Sequence, residues 1–177
     1  PSQAEPLAQR GLRVWEDRDN FDYLYPRDKM ATLSGRRLHR KKNLVNLFLR
    51  NNECTAKPLL EEYAGDALQI LDRWHDQQES AADYAAAREA IEKMEILQLC
   101  GGIFYVGDEP IAYTLGEELA QGRMFVVHFE KAVREKQYTG IYQYVNQVFA
   151  AVLPEQYELL NREQDLGDEG LRQAKES

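Results

Sequence analysis

His128 and Glu130 stand two residues apart in a run of alternating apolar residues, FVVHFEK, residues 125–131. At strand spacing this puts the imidazole and the carboxylate on one sheet face, with Met124 and Val126. Phe125, Val127 and Phe129 fall on the other. A carboxylate partnered by an imidazole can take a proton from an incoming nucleophile. The turn that follows, KAVREKQYTG, supplies the charges of Lys131, Arg134 and Lys136 and the polar side chains of Gln137, Tyr138 and Thr139. It closes on Gly140, which lets backbone approach a ligand closely. A helix starting there aims its free N–H groups and the positive end of its dipole outward, where phosphates or a developing oxyanion are stabilised. Tyr142 falls on the first turn of that helix, where a phenol can donate a proton to a leaving group. The candidate roles are Glu130 as base, His128 as its partner and Tyr142 as acid. Lys131, Gln137, Tyr138, Thr139 and Gly140 form the donor side.

Two further groups carry charge. GRRLHRKKN, residues 35–43, holds Arg36, Arg37, Arg40, Lys41 and Lys42 in a chain of net charge −8. Such a patch suits the phosphates of RNA, coenzyme A or lipid headgroups, although it lacks the interleaved aromatics of single-strand RNA binders. Asn161, Arg162, Glu163 and Asp165 crowd the end of a last strand, and Arg162 can clamp a carboxylate or phosphate. Glu130, Tyr142 and this loop are expected to share one cleft, because strand ends and a helix N-terminus meet along one edge of a sheet. Each group also has a plain structural reading: a histidine satisfied within its sheet, a rim tyrosine, a solvated basic helix face, a charged loop.

The elements that must position these residues change period along the chain. Residues 1–20 read as a tail or linker, and residues 21–177 as the folded domain. Residues 21–25 form a short aromatic strand stopped by Pro26. A helix with a break near Gly35 follows to Arg50, another starts at Pro58, and a third runs from Ser80 until Gly101-Gly102 ends it. The period then drops from helical to alternating. Two strands flank the turn GDEP, a third follows Gly122, a fourth spans residues 157–161, and a short helix finishes the chain. Helices, then an antiparallel meander, then strand–helix–strand make an α+β domain around one mixed, mostly antiparallel sheet flanked by helices.

Composition sets the outer bounds. With 44% apolar and 29% charged residues the chain reads as an ordinary globular protein with one sizeable core. Its acidic balance disfavours nucleic acid and anionic membrane except at a local patch. Cys54 and Cys100 give no disulfide framework and, with three histidines, no zinc spacing, so no metal is expected. They read as reduced core thiols of a cytoplasmic protein. No apolar run approaches the length of a membrane helix, and no signal peptide is visible. The chain starts without an initiator Met, which suggests part of something longer.

Taken together, FDYLYPRDKMATLSGRRLHRKKNLVNLF, GGIFYV…PIAYTLGE, FVVHFEKA…YTGIYQYVNQVFA and NREQDLGDEGLRQAK resemble, in this order, the family of the phosphatidylglycerol lysyltransferase C-terminal domain. That family is a branch of the GNAT-like acyltransferases. The similarity covers about residues 15–176 and is nearest to members without a flippase-type membrane part. The resemblance implies a GNAT-like fold, and it implies that this chain is the second of two such halves, with an N-terminal half as partner. It also implies transfer of an acyl or aminoacyl group from acyl-coenzyme A or aminoacyl-tRNA to an amine or hydroxyl. Alternatives are a coenzyme A-dependent N-acetyltransferase and a non-catalytic half serving as an interface. Gln137 and Gly140 match the GNAT pyrophosphate motif. Tyr142 stands where that motif has a small residue, which disfavours coenzyme A and leaves room for an aminoacyl-tRNA. The basic segment with Arg36 and Lys42 matches one that lysyltransferase-type relatives carry.

Overall fold

The computed structural model describes residues 4–78 and 83–176. They fall into two compact units. The larger runs from Leu24 to Glu163, and the smaller joins the described residues up to Tyr23 with those from Gln164 onward.

The larger unit is a six-stranded sheet of order β1-β6-β5-β4-β3-β2, with β1 Leu24–Pro26, β2 Cys54–Pro58, β3 Cys100–Val106, β4 Glu109–Leu119, β5 Met124–Ala132 and β6 Leu159–Asn161. All neighbours are antiparallel except β5 and β6, which the α6 crossover, Ile141–Val152, makes parallel. One face carries α4, Ala64–Asp76, and α5, Tyr84–Glu92. Ile70, Leu71, Trp74 and Ile91 from these helices bury Ile103, Tyr113 and Leu115 of the sheet. The other face carries α2, Arg27–Thr32, α3, His39–Asn51, and α6. There Val45 and Phe48 of α3 meet Ile141, Tyr144 and Val145 of α6 over Phe104 and Ile111. Burying each such side chain stabilises by about 2 kcal/mol, and this holds α3 against the start of α6.

The α+β architecture agrees with the sequence, as does the break near Gly35. Leu33 and Gly35 both take positive φ there, and a 3₁₀ turn over Arg36–Leu38 precedes α3. Four features differ, three of them element boundaries. The first strand starts later, at Leu24, where pairing with β6 begins, and leaves Phe21 exposed. Residues 54–58 form an edge strand, so the helix expected from Pro58 starts only at Ala64. Thr55, Ala56 and Lys57 are exposed and pair on one side only, which gives no alternating signal. The helix α5 stops at Glu92, and Gly101 and Gly102 belong to β3, not to a helix cap. The expected helix start at Ser80 lies outside the described residues. Cys54 is half-buried and Cys100 exposed, so neither is a fully buried core thiol.

The fourth difference matters most for the site. Leu115 pairs with Phe129 but Gly116 pairs with Val127, so β5 carries one extra residue, a bulge at His128. The expected alternation is reversed beyond it. Phe125 and Val127 pack toward α6, whereas Phe129 packs on the α4/α5 face. The same bulge separates the partners of His128 from those of Glu130.

The smaller unit contains α1, Ala4–Gln9, a 3₁₀ turn over Arg18–Asn20, and α7, Glu169–Glu176. The segment expected to be a tail thus carries structure. The unit is held by a buried carboxylate, Asp165, which accepts hydrogen bonds from the Tyr23 hydroxyl at 2.6 Å, Arg172 at 2.8 Å and the Gly167 N–H at 2.9 Å. Arg172 holds its carboxyl well below the usual carboxylate range.

Candidate functional site

β5 and β6 pair only from Met124↔Leu159 to Val126↔Asn161. The two strands part after Val126 and Asn161, and β5 runs on past the bulge to Ala132 without β6 beside it. A groove of about 460 Å³ lies past the end of β5 at the start of α6, lined by residues 133–136 and 138–143. No side chain caps the N-terminus of α6, so its first-turn N–H groups face outward. The strand–turn–helix geometry expected from the sequence is present, with Tyr138, Thr139, Gly140 and Tyr142 in the groove wall.

The individual roles sort differently. Gly140 has φ +95°, and a Cβ built on it would meet the Leu44 carbonyl oxygen at 2.2 Å. Its bare face is therefore taken by α3, not left open for a ligand. The Tyr138 hydroxyl donates to Glu109 at 2.8 Å. The Thr139 hydroxyl donates to the Lys136 carbonyl at 2.7 Å. Gln137 lies outside the groove wall; its side chain donates to Glu135 and its carbonyl accepts from Asn52. Lys131, expected on the donor side, points to the opposite face of the sheet. Its ammonium lies 3.7 Å from the Trp74 ring centroid and pairs with Asp83. Burial pulls its pKa down.

Tyr142 donates to the Ala132 carbonyl at 3.4 Å, on the β5 edge that β6 leaves free. Burial raises its pKa, so it stays protonated as a proton donor requires. Asn146, one turn on, joins Tyr142 to Glu130: its amide donates to the Tyr142 carbonyl at 2.5 Å and to the Glu130 carboxylate at 3.0 Å. Glu130 and Tyr142 thus lie on the same side of the sheet. Glu130 is not a free carboxylate, however. Arg162 pairs with it at 3.0 Å, and the two side chains are only 9% and 17% exposed. Lys41 is buried in the same neighbourhood. Burial lowers its pKa first, and the charge of Arg162 adds to that. Lys41 therefore leaves the basic surface patch, which retains Arg36, Arg37, Arg40 and Lys42 as exposed cations.

His128 belongs to a separate cluster. Its Nδ1 lies 2.7 Å from Glu163 and its Nε2 3.1 Å from Glu117. Asn161 supports the cluster by accepting the Glu163 N–H at 2.8 Å. The loop of residues 161–165 therefore does not converge as one group. Arg162 goes to Glu130, Asn161 and Glu163 go with His128, and Asp165 belongs to the smaller unit. Asn146 is the contributor that sequence reasoning did not assign; its spacing of four from Tyr142 was the available signal.

The His128 cluster predicts a pH dependence. The hydrogen bond to Glu163 is the largest cause raising the histidine pKa above its ordinary value. A group whose folded pKa is raised contributes stability that is complete below its unfolded value, about 6.5, and is lost as pH rises through the folded value. Melting temperature should therefore fall as pH rises from about 6.5 through the range of the raised folded value. In His128→Gln the fall should be smaller, as measured by thermal unfolding across that range. Equal slopes in both proteins would remove the imidazolium from the account.

Among the described residues no group of three or more His, Cys, Asp or Glu is placed to hold a metal ion. No described helix is long and apolar enough to cross a membrane.

A family model described as "Phosphatidylglycerol lysyltransferase, C-terminal" matches residues 1–177. A conserved protein of unknown function from Bacteroides thetaiotaomicron is 35% identical, superposes with a TM-score of 0.87, and is matched over 98% of this chain and 60% of its own. The C-terminal domain of a putative lysylphosphatidylglycerol synthetase from Agrobacterium fabrum is 14% identical with a TM-score of 0.61, over 93% of this chain and 52% of its own. A tandem GNAT protein from the clavulanic acid biosynthesis pathway is 10% identical with a TM-score of 0.55, over 98% of this chain and 53% of its own. The last two likenesses show the fold, which is of GNAT type. The chain spans between half and two thirds of each of these proteins. No curated protein matches it.

Proposed function

We propose that this chain, which belongs to the phosphatidylglycerol lysyltransferase C-terminal family, is a transferase domain that moves an acyl or aminoacyl group to an amine or hydroxyl. The observation that carries the reading is the groove at the uncapped N-terminus of α6, just beyond the end of β5. A donor seated there puts its phosphates against the first-turn N–H groups, and its reacting carbonyl toward the free edge of β5. Attack by the acceptor forms the new bond to the carbonyl carbon, and the bond to the leaving group breaks. Tyr142 supplies the leaving group with its proton. Glu130 has its Oε1 held by both Arg162 and Asn146, so its part is to tie β5 to the residue after β6, and the proton from the acceptor passes to water.

The donor favoured is an aminoacyl-tRNA. The bulky Tyr142 in the groove wall and the exposed cations Arg36, Arg37, Arg40 and Lys42 suit a large polyanion better than coenzyme A. Coenzyme A-dependent N-acetyl transfer is the rival, and a thermal shift with acetyl-coenzyme A against one with tRNA separates the two. The ion pair at Glu130 favours one further reading, a half-domain without chemistry, in which neither probe shifts the melting temperature.

If four phosphates are neutralised by the patch, affinity for tRNA should fall about 10²-fold between 50 and 200 mM salt, because each contact releases a counterion. Arg40→Glu with Lys42→Glu should flatten that slope. Lys41 is the internal control: being buried, it should not contribute to it. Salt-independent binding, or an unchanged slope in the double variant, would remove the patch from the interface.

A further inference from the structure

The loop that walls the groove is held from the far face of the sheet. Arg73, in the last turn of α4, reaches past the end of the sheet to two carboxylates. Its Nη1 lies 2.7 Å from Glu109, the first residue of β4, and its Nη2 donates to Glu135 at 2.9 Å. Glu109 also accepts the Tyr138 hydroxyl at 2.8 Å, and Glu135 accepts the Gln137 amide at 2.8 Å. One turn on from Arg73, the side-chain oxygen of Gln77 accepts the Arg134 N–H at 2.8 Å. The wall residues Arg134, Glu135 and Tyr138 are thus each tied to α4, directly or through Glu109. The Tyr138 hydroxyl, and after it Arg73, hold the Glu109 carboxyl below its ordinary range, so it carries its charge near neutral pH.

Two features say what this tie is for. Ion pairs this exposed add little to stability: the Arg73 side chain is 28% exposed and its partners 43% and 38%. Glu135 is also the only carboxylate among the residues that line the groove, where it stands between the cations Arg134 and Lys136. Left uncompensated, it would repel an anionic donor at the place where the first-turn N–H groups of α6 attract one. Arg73 reaches that carboxylate from outside the wall and offsets its charge. A guanidinium suits the task because it engages two carboxylates at once in a fixed geometry, which an ammonium, as a point charge, does not.

We infer that Arg73 is a positioning residue of the groove: through Glu109 and Glu135 it fixes the wall over residues 133–138 and removes the negative charge that this wall would turn toward a phosphate-bearing donor. Arg73 is not itself among the lining residues, so it acts through the wall. The charge role rests on the reading of the groove as a donor site. The fixing of the wall stands without it.

The test follows two readouts in the parent, Arg73→Ala, Arg73→Lys and Arg73→Ala with Glu135→Gln. Amide hydrogen exchange reports the wall. In Arg73→Ala the N–H groups of Arg134, Tyr138 and Thr139 should exchange about tenfold faster, with Val145 inside α6 unchanged, and Arg73→Lys should recover little of this. Titration with tRNA and with acetyl-coenzyme A at about 50 mM salt reports the charge. Whichever probe the parent binds should bind Arg73→Ala about fivefold more weakly, the effect of one unit charge at about 4 Å in water. Adding Glu135→Gln should recover most of that loss, which a purely structural defect would not allow, and Arg73→Lys should keep most of the affinity. Glu135→Gln alone should bind more tightly than the parent, and it carries the test if Arg73→Ala does not fold. Unchanged exchange in Arg73→Ala overturns the fixing of the wall. A loss of affinity that Glu135→Gln does not recover, or no tighter binding by Glu135→Gln alone, overturns the charge role. If neither probe binds the parent while exchange still rises in Arg73→Ala, the donor reading and the charge role fail together and the fixing of the wall is upheld.

Discussion

Gly140→Ala is expected to cost about 3 kcal/mol or more of stability and, for a chain of this size, to lower the melting temperature by about 10 °C. Two effects add. The residue has φ +95°, which strains any L side chain, and its Cβ would stand 2.2 Å from the Leu44 carbonyl oxygen and 3.3 Å from Phe48. Neither neighbour can give way, because Leu44 offers backbone and Phe48 is fully buried. Gly107 is the control. Its φ is +60° and nothing lies within 4 Å of its would-be Cβ, so Gly107→Ala should show the strain alone, about 1 kcal/mol. Thermal or urea unfolding of both variants measures the difference. Equal costs would mean that the close approach of α3 contributes nothing. The result also bears on the groove, since separating α3 from the start of α6 moves its wall. A loss of donor affinity in Gly140→Ala is therefore expected as a consequence of packing, and does not identify Gly140 as a phosphate ligand.

The fold was legible where period and turn chemistry agree. The β3–β4 hairpin, β5 and α6 follow directly from alternation, a tight turn and helical spacing. The site was legible as a place but not as a set of roles, and one inserted residue explains most of the gap. The bulge at His128 changes which face each later side chain of β5 takes, so His128 and Glu130 acquire different partners, and Lys131 goes to Trp74 instead of the donor side. Strict alternation cannot show such an insertion. A signal existed on the neighbouring strand: at Gly116 a Cβ would lie 1.9 Å from the Val126 carbonyl oxygen, so a bare residue is required beside the irregularity. Charge was misread at Lys41 for a related reason. A run of cations looks uniformly solvated in sequence, but α3 is amphipathic and turns one of them inward, next to Tyr25, Glu130 and Arg162. The edge strand β2 left no trace because only one of its sides is paired and its side chains remain in water.

Arg162→Ala should be the most damaging of the polar substitutions, by about 3 kcal/mol, because it leaves the Glu130 carboxylate buried without its counter-charge. Glu130→Gln should cost less, since an amide keeps a hydrogen-bonding oxygen for Asn146 and carries no charge to desolvate. The double variant Glu130→Gln with Arg162→Ala should recover part of the loss of Arg162→Ala, and the coupling from this cycle, measured by chemical unfolding, reports the pair itself. Turnover in the complete protein then separates two roles. A carboxylate whose work is to hold the parting of β5 and β6 should leave Glu130→Gln within about tenfold of the parent, with the change tracking stability. A general base should lose about 10² to 10⁴ in turnover at unchanged stability. The geometry favours the first outcome: a base must be released from its counter-ion before it can accept a proton, and here Arg162 and Asn146 hold the same oxygen, Oε1. The second outcome would mean that Arg162 moves aside when the acceptor enters, which makes the ion pair a latch on the site.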